Sequence, residues 1–306
     1  MEKLIQSFVR RIDSEKLGVE GIAVNLDGRL LCEHRWVPDR PRNIYSNTKS
    51  FTSTAAGLAI EEGKLSLEDT LADCFPSKLP QNAASEIDKI KLRHLLTMSS
   101  GFDKSLLMGE MRRAGEGMPD YVRYMLSQPV LCEPGSSFHY STADSIMAGR
   151  MVEEKVGMRL SEYLYEKLFK ALEINNPIWE NCPMGHPIGG GGMFLTLTDM
   201  MKLGQLYLDH GKWRGGQLVD SAWISQATSK QIDTPRKDES EIWTCGYGYQ
   251  FWMSPYAASY RADGAFGQIT MVLPEAGMVV GIHCPELPEN FEKVRLALHE
   301  EVLSGI

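Results

Sequence analysis

Apolar residues recur one helical turn apart at the start of the chain. Leu4, Ile5, Phe8, Val9 and Ile12 sit among charged neighbours, which predicts an amphipathic helix. Two short apolar runs within residues 21–32 then flank Asp27-Gly28, a dipeptide that tolerates the positive φ angles of a tight hairpin turn. Residues 46–62 are rich in Ala, Leu and Ile and stop at Gly63, the pattern of a helix with its C-terminal glycine in place. From about 65 to 235 the spacing stays mainly helical, with helices predicted at 92–98, 143–156, 160–172 and 198–208. The pattern then changes. Residues 247–253, 259–263, 268–274 and 278–284 are short, aromatic and β-branched, with a turn signal at Pro274-Glu275-Ala276-Gly277, and a last helix is predicted over 290–303.

Strands near both ends and helices between them predict one sheet assembled from non-contiguous parts of the chain. The fold class is therefore α/β of the α+β type: a sheet flanked by helices, with an all-helical lobe inserted. The α/β lobe is assigned to about 1–65 and 236–306 and the helical lobe to about 66–235 of a single domain. A cleft between the lobes is the natural site, bordered by the Ser46 helix and the strand near Gly264.

Composition narrows the function. Among 306 residues, 43% are hydrophobic and 24% charged, ordinary values for a globular chain. A net charge of -8 without a Lys/Arg run argues against nucleic acid as a partner. The first segment lacks the unbroken apolar stretch of a secretory leader, and no run approaches the roughly 20 apolar residues of a membrane span. A cytoplasmic location without a membrane partner is expected, and the oligomeric state is left open. Six cysteines without a CxxC pair read as reduced thiols, and seven histidines show no HExxH spacing, so no metal is expected. Gly189-Gly190-Gly191-Gly192 lacks the Gly-Lys-Ser/Thr ending of a phosphate loop, which argues against phosphate binding there.

Three segments carry candidate chemistry. In Tyr45-Ser46-Asn47-Thr48-Lys49, Ser46 and Lys49 share one face at a helix start, where unpaired N–H groups favour negative charge. A serine hydroxyl needs a base, and a lysine serves once desolvation lowers its pKa. Taken alone, the same spacing also suits a solvated helix with a surface lysine. Tyr140 follows a Pro134-Gly135 turn and precedes a helix; beside a cation it would pass protons to a leaving group. In Arg261-Ala262-Asp263-Gly264-Ala265, a bare glycine lets the strand backbone approach a substrate, and an N–H there would join that of Ser46 as an oxyanion hole.

In this order the three segments resemble the serine β-lactamase-like and penicillin-binding-protein-like hydrolases, whose signatures are Ser-x-x-Lys, Ser/Tyr-x-Asn and Lys-Thr-Gly. The resemblance runs from about Gly21 to the C-terminal helix and includes residues 63–70, 92–101 and 189–199. It implies a β-lactamase/transpeptidase-like fold, an α/β lobe with an antiparallel sheet plus an all-helical lobe, with Ser46 as the acylated nucleophile, Lys49 as base and Tyr140 as proton shuttle. The backbone N–H groups of Ser46 and Ala265 would bind the oxyanion, Thr142, Asp263 and Gly264 would meet a small-molecule ester or amide substrate, and no cofactor is implied. Two positions depart from the pattern. Thr142 replaces Asn, and Ala262-Asp263-Gly264 replaces Lys-Thr-Gly, exchanging a cation for an anion. An esterase or amidase is therefore expected, with Asp263 favouring neutral or amine-bearing substrates. The alternatives are a weak β-lactamase or D,D-peptidase, or an acyl-binding sensor or scaffold without turnover.

Overall fold

The computed structural model describes residues 3–81, 85–102, 104–235, 241–288 and 290–305. Its main sheet is antiparallel throughout. The strands are β1 (Gly21–Leu26), β2 (Arg29–Arg35), β3 (Trp252–Met253), β4 (Tyr260–Gly264), β5 (Gln268–Leu273) and β6 (Met278–His283), in the order β2-β1-β6-β5-β4-β3. The first hairpin closes through Asp27 (φ 46°) and Gly28 (φ 75°), both left-handed, which matches the twist of the paired strands. Pairing of Gly21 with His283 through Leu26 with Met278 joins the two ends of the chain in one sheet.

Alternation along the strands sends side chains to two different layers. Ile22, Val24, Val280 and Ile282 pack with Ile5, Phe8 and Ile12 of helix α1 (Lys3–Glu15) and with Val294 and Leu298 of α5 (Asn290–Glu301). Ala23, Val272 and Val279 face the larger core, with Met200 and Leu203 of α4 (Leu197–Leu208). That core continues without a break into α2 (Thr48–Glu61) and α3 (Thr142–Val156), which pack on each other. Helix α4 lies within the stretch read as the helical lobe, yet it covers the sheet.

Two predicted elements come out differently. The run 247–253 contributes only Trp252–Met253 to the sheet. Gln250 sits at φ 64° and breaks the strand, because its polar groups serve helices instead. Its amide donates to the carbonyls of Leu95 and Leu96, its side-chain oxygen accepts from Ser145, and its backbone carbonyl accepts from Ser50. The helix predicted at 160–172 is α-helical over Leu160–Leu164 and widens into a π turn at Tyr165–Phe169. All six cysteines are unpaired thiols.

Candidate active site

Ser46 lies in a single 3₁₀ turn, Tyr45–Asn47, that leads directly into α2. Tyr45 holds φ 47°, a conformation a side-chain-bearing residue rarely adopts, and its N–H donates to the Asn43 side chain at 2.9 Å. The Asn47 amide ties the turn to the sheet, donating to the Ala262 carbonyl at 3.2 Å and to Thr270 at 3.1 Å. The bare face of Gly264 is used here as well: a Cβ on it would lie 2.2 Å from the Ile44 carbonyl oxygen. Gly264 was expected to let a substrate approach. It instead lets the end of β4 touch the chain just ahead of Ser46, which brings Ala265 to the same cleft as Ser46.

That cleft has a volume of about 580 Å³ and is lined by Ser46, Thr142, Gly190, Ala265, Phe266 and Arg112, among others. Lys49 stands in the first turn of α2 and is 1% exposed, so it is not a surface lysine on a solvated helix. Nearly the whole helix is buried, and its polar side chains are spent internally, as where Thr52 donates to the Gly189 carbonyl. The Lys49 ammonium donates to the Gly190 carbonyl at 2.7 Å. It has no carboxylate within ion-pair distance among the described residues. Burial, helped by nearby Arg112 and opposed by the buried Asp144, lowers its pKa to about 7.

The glycine run serves as a spacer. A Cβ on Gly190 would lie 2.9 Å from the Lys49 nitrogen and 2.7 Å from a Thr142 methyl. Only glycine lets α2 and α3 close on this loop. Tyr140, immediately ahead of α3, has its ring 5.3 Å from the Lys49 nitrogen and stacks on Trp252 at 5.7 Å, with Phe138 and Tyr247 beside it. Three segments far apart in sequence thus meet around Lys49.

Asp263, expected at the substrate, faces elsewhere. Its carboxylate is buried and accepts from Arg261 Nε at 3.0 Å and from Arg295 Nε at 3.1 and 3.0 Å. Both guanidiniums also lie over the Trp243 ring, at 4.7 and 5.3 Å. Burial works against its ionisation, but Arg295 and Arg261 outweigh this and hold the carboxyl below its usual range. With two cations on one anion, Asp263 gives the cleft no negative field, and the reason for preferring amine-bearing substrates disappears. Asp263→Asn should leave two buried guanidiniums without their counter-charge, at a cost of about 3–5 kcal/mol. Thermal unfolding should therefore shift down by on the order of 10 °C; an unchanged midpoint would mean the cluster is dispensable.

Arg112 also lines the cleft, and nothing in the sequence marks it. It sits in Glu110-Met111-Arg112-Arg113, which looks like any solvated surface, and no spacing signals that it turns into the cleft. No group of three or more His, Cys, Asp or Glu side chains among the described residues is placed to hold a metal ion. No helix among them is long and apolar enough to cross a membrane.

An antiparallel sheet covered by helices in this arrangement is a β-lactamase/transpeptidase-like fold. EstCE1, a hydrolase with promiscuous acyltransferase activity, superposes with a TM-score of 0.78 over 97% of this chain and 98% of its own, at 19% identity. An octameric penicillin-binding protein homologue from Pyrococcus abyssi gives 0.76 over 98% and 78%, at 21% identity. In sequence, 6-aminohexanoate-dimer hydrolase of Paenarthrobacter ureafaciens is 24% identical over 237 residues, 71% of this chain and 59% of that protein. Protein flp of Staphylococcus aureus is 24% identical over 141 residues, 45% and 28%. The chain thus spans less than two thirds of the curated relatives it matches. The family model described as Beta-lactamase matches residues 9–303, and the chain belongs to that family. Its relatives include proteins named as hydrolases.

Proposed function

We propose that this protein is a serine hydrolase that cleaves esters or amides through an acyl-enzyme on Ser46. The observation that carries the reading is Lys49: a wholly buried amine, on a carbonyl acceptor and without a carboxylate partner, one helical turn from a serine in the cleft. A lysine so placed is neutral in a large fraction of molecules near pH 7. The neutral amine takes the Ser46 proton as the hydroxyl oxygen bonds to the substrate carbonyl carbon. The resulting oxyanion is held by the backbone N–H groups of Ser46 and Ala265. As the carbon–heteroatom bond breaks, Tyr140 hands a proton to the leaving group and recovers one from Lys49. Water then repeats the attack on the acyl ester, losing its proton by the same route, and Ser46 is released. The chemistry needs no cofactor.

Burial depresses the Lys49 pKa, so activity should be low where the amine is protonated and should rise with pH through about 7. The check is kcat/KM for p-nitrophenyl butyrate from about pH 5.5 to 9. A profile flat across that range would contradict the assignment of the base.

Ester cleavage should outpace β-lactam cleavage. Position 262 is an alanine, so the strand offers no cation to the carboxylate that a rigid cephalosporin presents at a fixed angle to its reactive carbonyl. A missing charged hydrogen bond costs about 1.5–3 kcal/mol, one to two decades in affinity by the usual conversion. Faster turnover of a chromogenic cephalosporin than of p-nitrophenyl butyrate would reverse this ranking.

A further inference from the structure

The charge that Asp263 does not supply to the cleft is supplied, with the opposite sign, by the helical part of the chain. Arg112 belongs to the short helix Gly109–Arg113 and lines the same cleft as Ser46, Thr142 and Ala265. It is half-buried. One N–H, on Nη1, donates to the Leu107 carbonyl at 2.6 Å, and Leu107 itself holds φ 51° in the turn that presents this carbonyl. Among the described residues the guanidinium has no further hydrogen-bond acceptor and no carboxylate at ion-pair distance.

A guanidinium drawn partly out of water without a counter-ion is held at a cost that a bound anion offsets. Its planar fork matches carboxylates and phosphates, and of the two the carboxylate is the anion that an ester or amide substrate commonly carries. Of the acids at this cleft, Glu110, Glu180 and Glu286 are all exposed at the rim. Glu180 is the one whose charge reaches Arg112, and Glu286 already accepts from the Tyr45 hydroxyl at 2.7 Å. Exposed carboxylates are screened by water and salt, whereas a half-buried cation is screened far less. Arg113, next in sequence and exposed, adds positive charge on the same side.

We propose that Arg112 is the anion anchor of the Ser46 cleft and selects esters or amides that carry a free carboxylate on their acyl or leaving portion. The proposal rests on the serine-hydrolase reading and adds the substrate class to it. A flexible chain can swing its carboxylate to Arg112, whereas a rigid bicyclic β-lactam holds its carboxylate at a fixed angle to the reactive carbonyl.

Two matched ester pairs test it. The acyl side is probed by mono-p-nitrophenyl glutarate against p-nitrophenyl pentanoate, which differ only in carboxylate for methyl at the chain end. The leaving side is probed by 4-carboxyphenyl butyrate against 4-carbamoylphenyl butyrate. In one pair the wild type should prefer the carboxylate by roughly tenfold or more in kcat/KM. Arg112→Gln should bring that ratio close to one, and Arg112→Lys should keep part of it. The ratio is the proper readout, because Arg112 also lowers the Lys49 pKa, and its loss would slow both members of a pair together. No preference in either pair, or a preference that survives Arg112→Gln, overturns the proposal. Binding is read separately, without turnover: glutarate should raise the thermal midpoint of the wild type and not that of Arg112→Gln. Hydrolysis of the neutral esters without carboxylate preference would sink the Arg112 proposal alone. Inertness of all four esters would sink the Ser46 reading, while the glutarate shift still judges Arg112.

Discussion

Lys49→Met should lower kcat/KM at pH 7.5 by at least about 10³-fold and at the same time make the protein more stable. The two effects share one cause. Methionine fills nearly the volume of the lysine stem, so packing between α2, α3 and the Gly190 loop is kept. What is lost is the amine proposed to take the Ser46 proton. What is relieved is the need to bury a cation, since Lys49 titrates near pH 7 in the folded protein and near 10.5 when unfolded. Between those values the unfolded chain binds more protons, so wild-type stability rises with pH across that window. Below about pH 7 both states are protonated and the desolvation cost stands in full. The stabilisation by methionine should therefore be largest at about pH 6.5 and should fade towards pH 10. A net gain on the order of 2 kcal/mol is expected at the lower pH, after subtracting the hydrogen bond lost at the Gly190 carbonyl. Thermal unfolding at two pH values, alongside kcat/KM, checks both parts. A variant with near-normal activity, or one destabilised at pH 6.5, would contradict this role.

Ser46→Ala should lower kcat/KM by at least about 10⁴-fold, leaving a small measurable residual rate. Ser46 is partly exposed at the cleft wall, so its hydroxyl can go with a change of only about 1 °C in the thermal midpoint. Adding Lys49→Met to it should cost almost nothing more, because nucleophile and base act as one unit. Measured rates for the two single variants and the double variant settle the point. A further large drop in the double variant would mean that Lys49 works on some other group.

Much of this arrangement is legible in the chain because local chemistry and global fold agree. Asp27-Gly28 demands a left-handed turn and gets one, and Gly63 follows the end of α2 at φ 69°. Strands β4, β5 and β6 fall within a residue of the apolar runs that predict them. The serine, the lysine and the tyrosine are visible as short motifs, and the resemblance they carry points to the fold that the comparisons share.

What could not be read depends on partners distant in sequence. Residues 247–253 have the composition of a strand, but the backbone is set by what Gln250 bonds to, and those groups lie at Leu95, Leu96, Ser145 and Ser50. Asp263 looked like an anion beside the substrate because Arg295, the residue that claims it, is 32 positions away on α5. The burial of Lys49 depends on Gly190, 141 positions away, being bare enough for two helices to meet over it. Arg112 carried no signal at all, since a charged pentapeptide reads the same whether it faces solvent or a cleft.

The whole account turns on an oxygen at position 46 made nucleophilic by the amine buried beside it. Intact-mass analysis after treatment with a fluorophosphonate, followed by peptide mapping, reads that oxygen directly. One covalent adduct per chain is expected, on the peptide containing Ser46, forming faster as pH rises through 7 and absent from Ser46→Ala. No adduct, or one carried by another residue, would contradict the account.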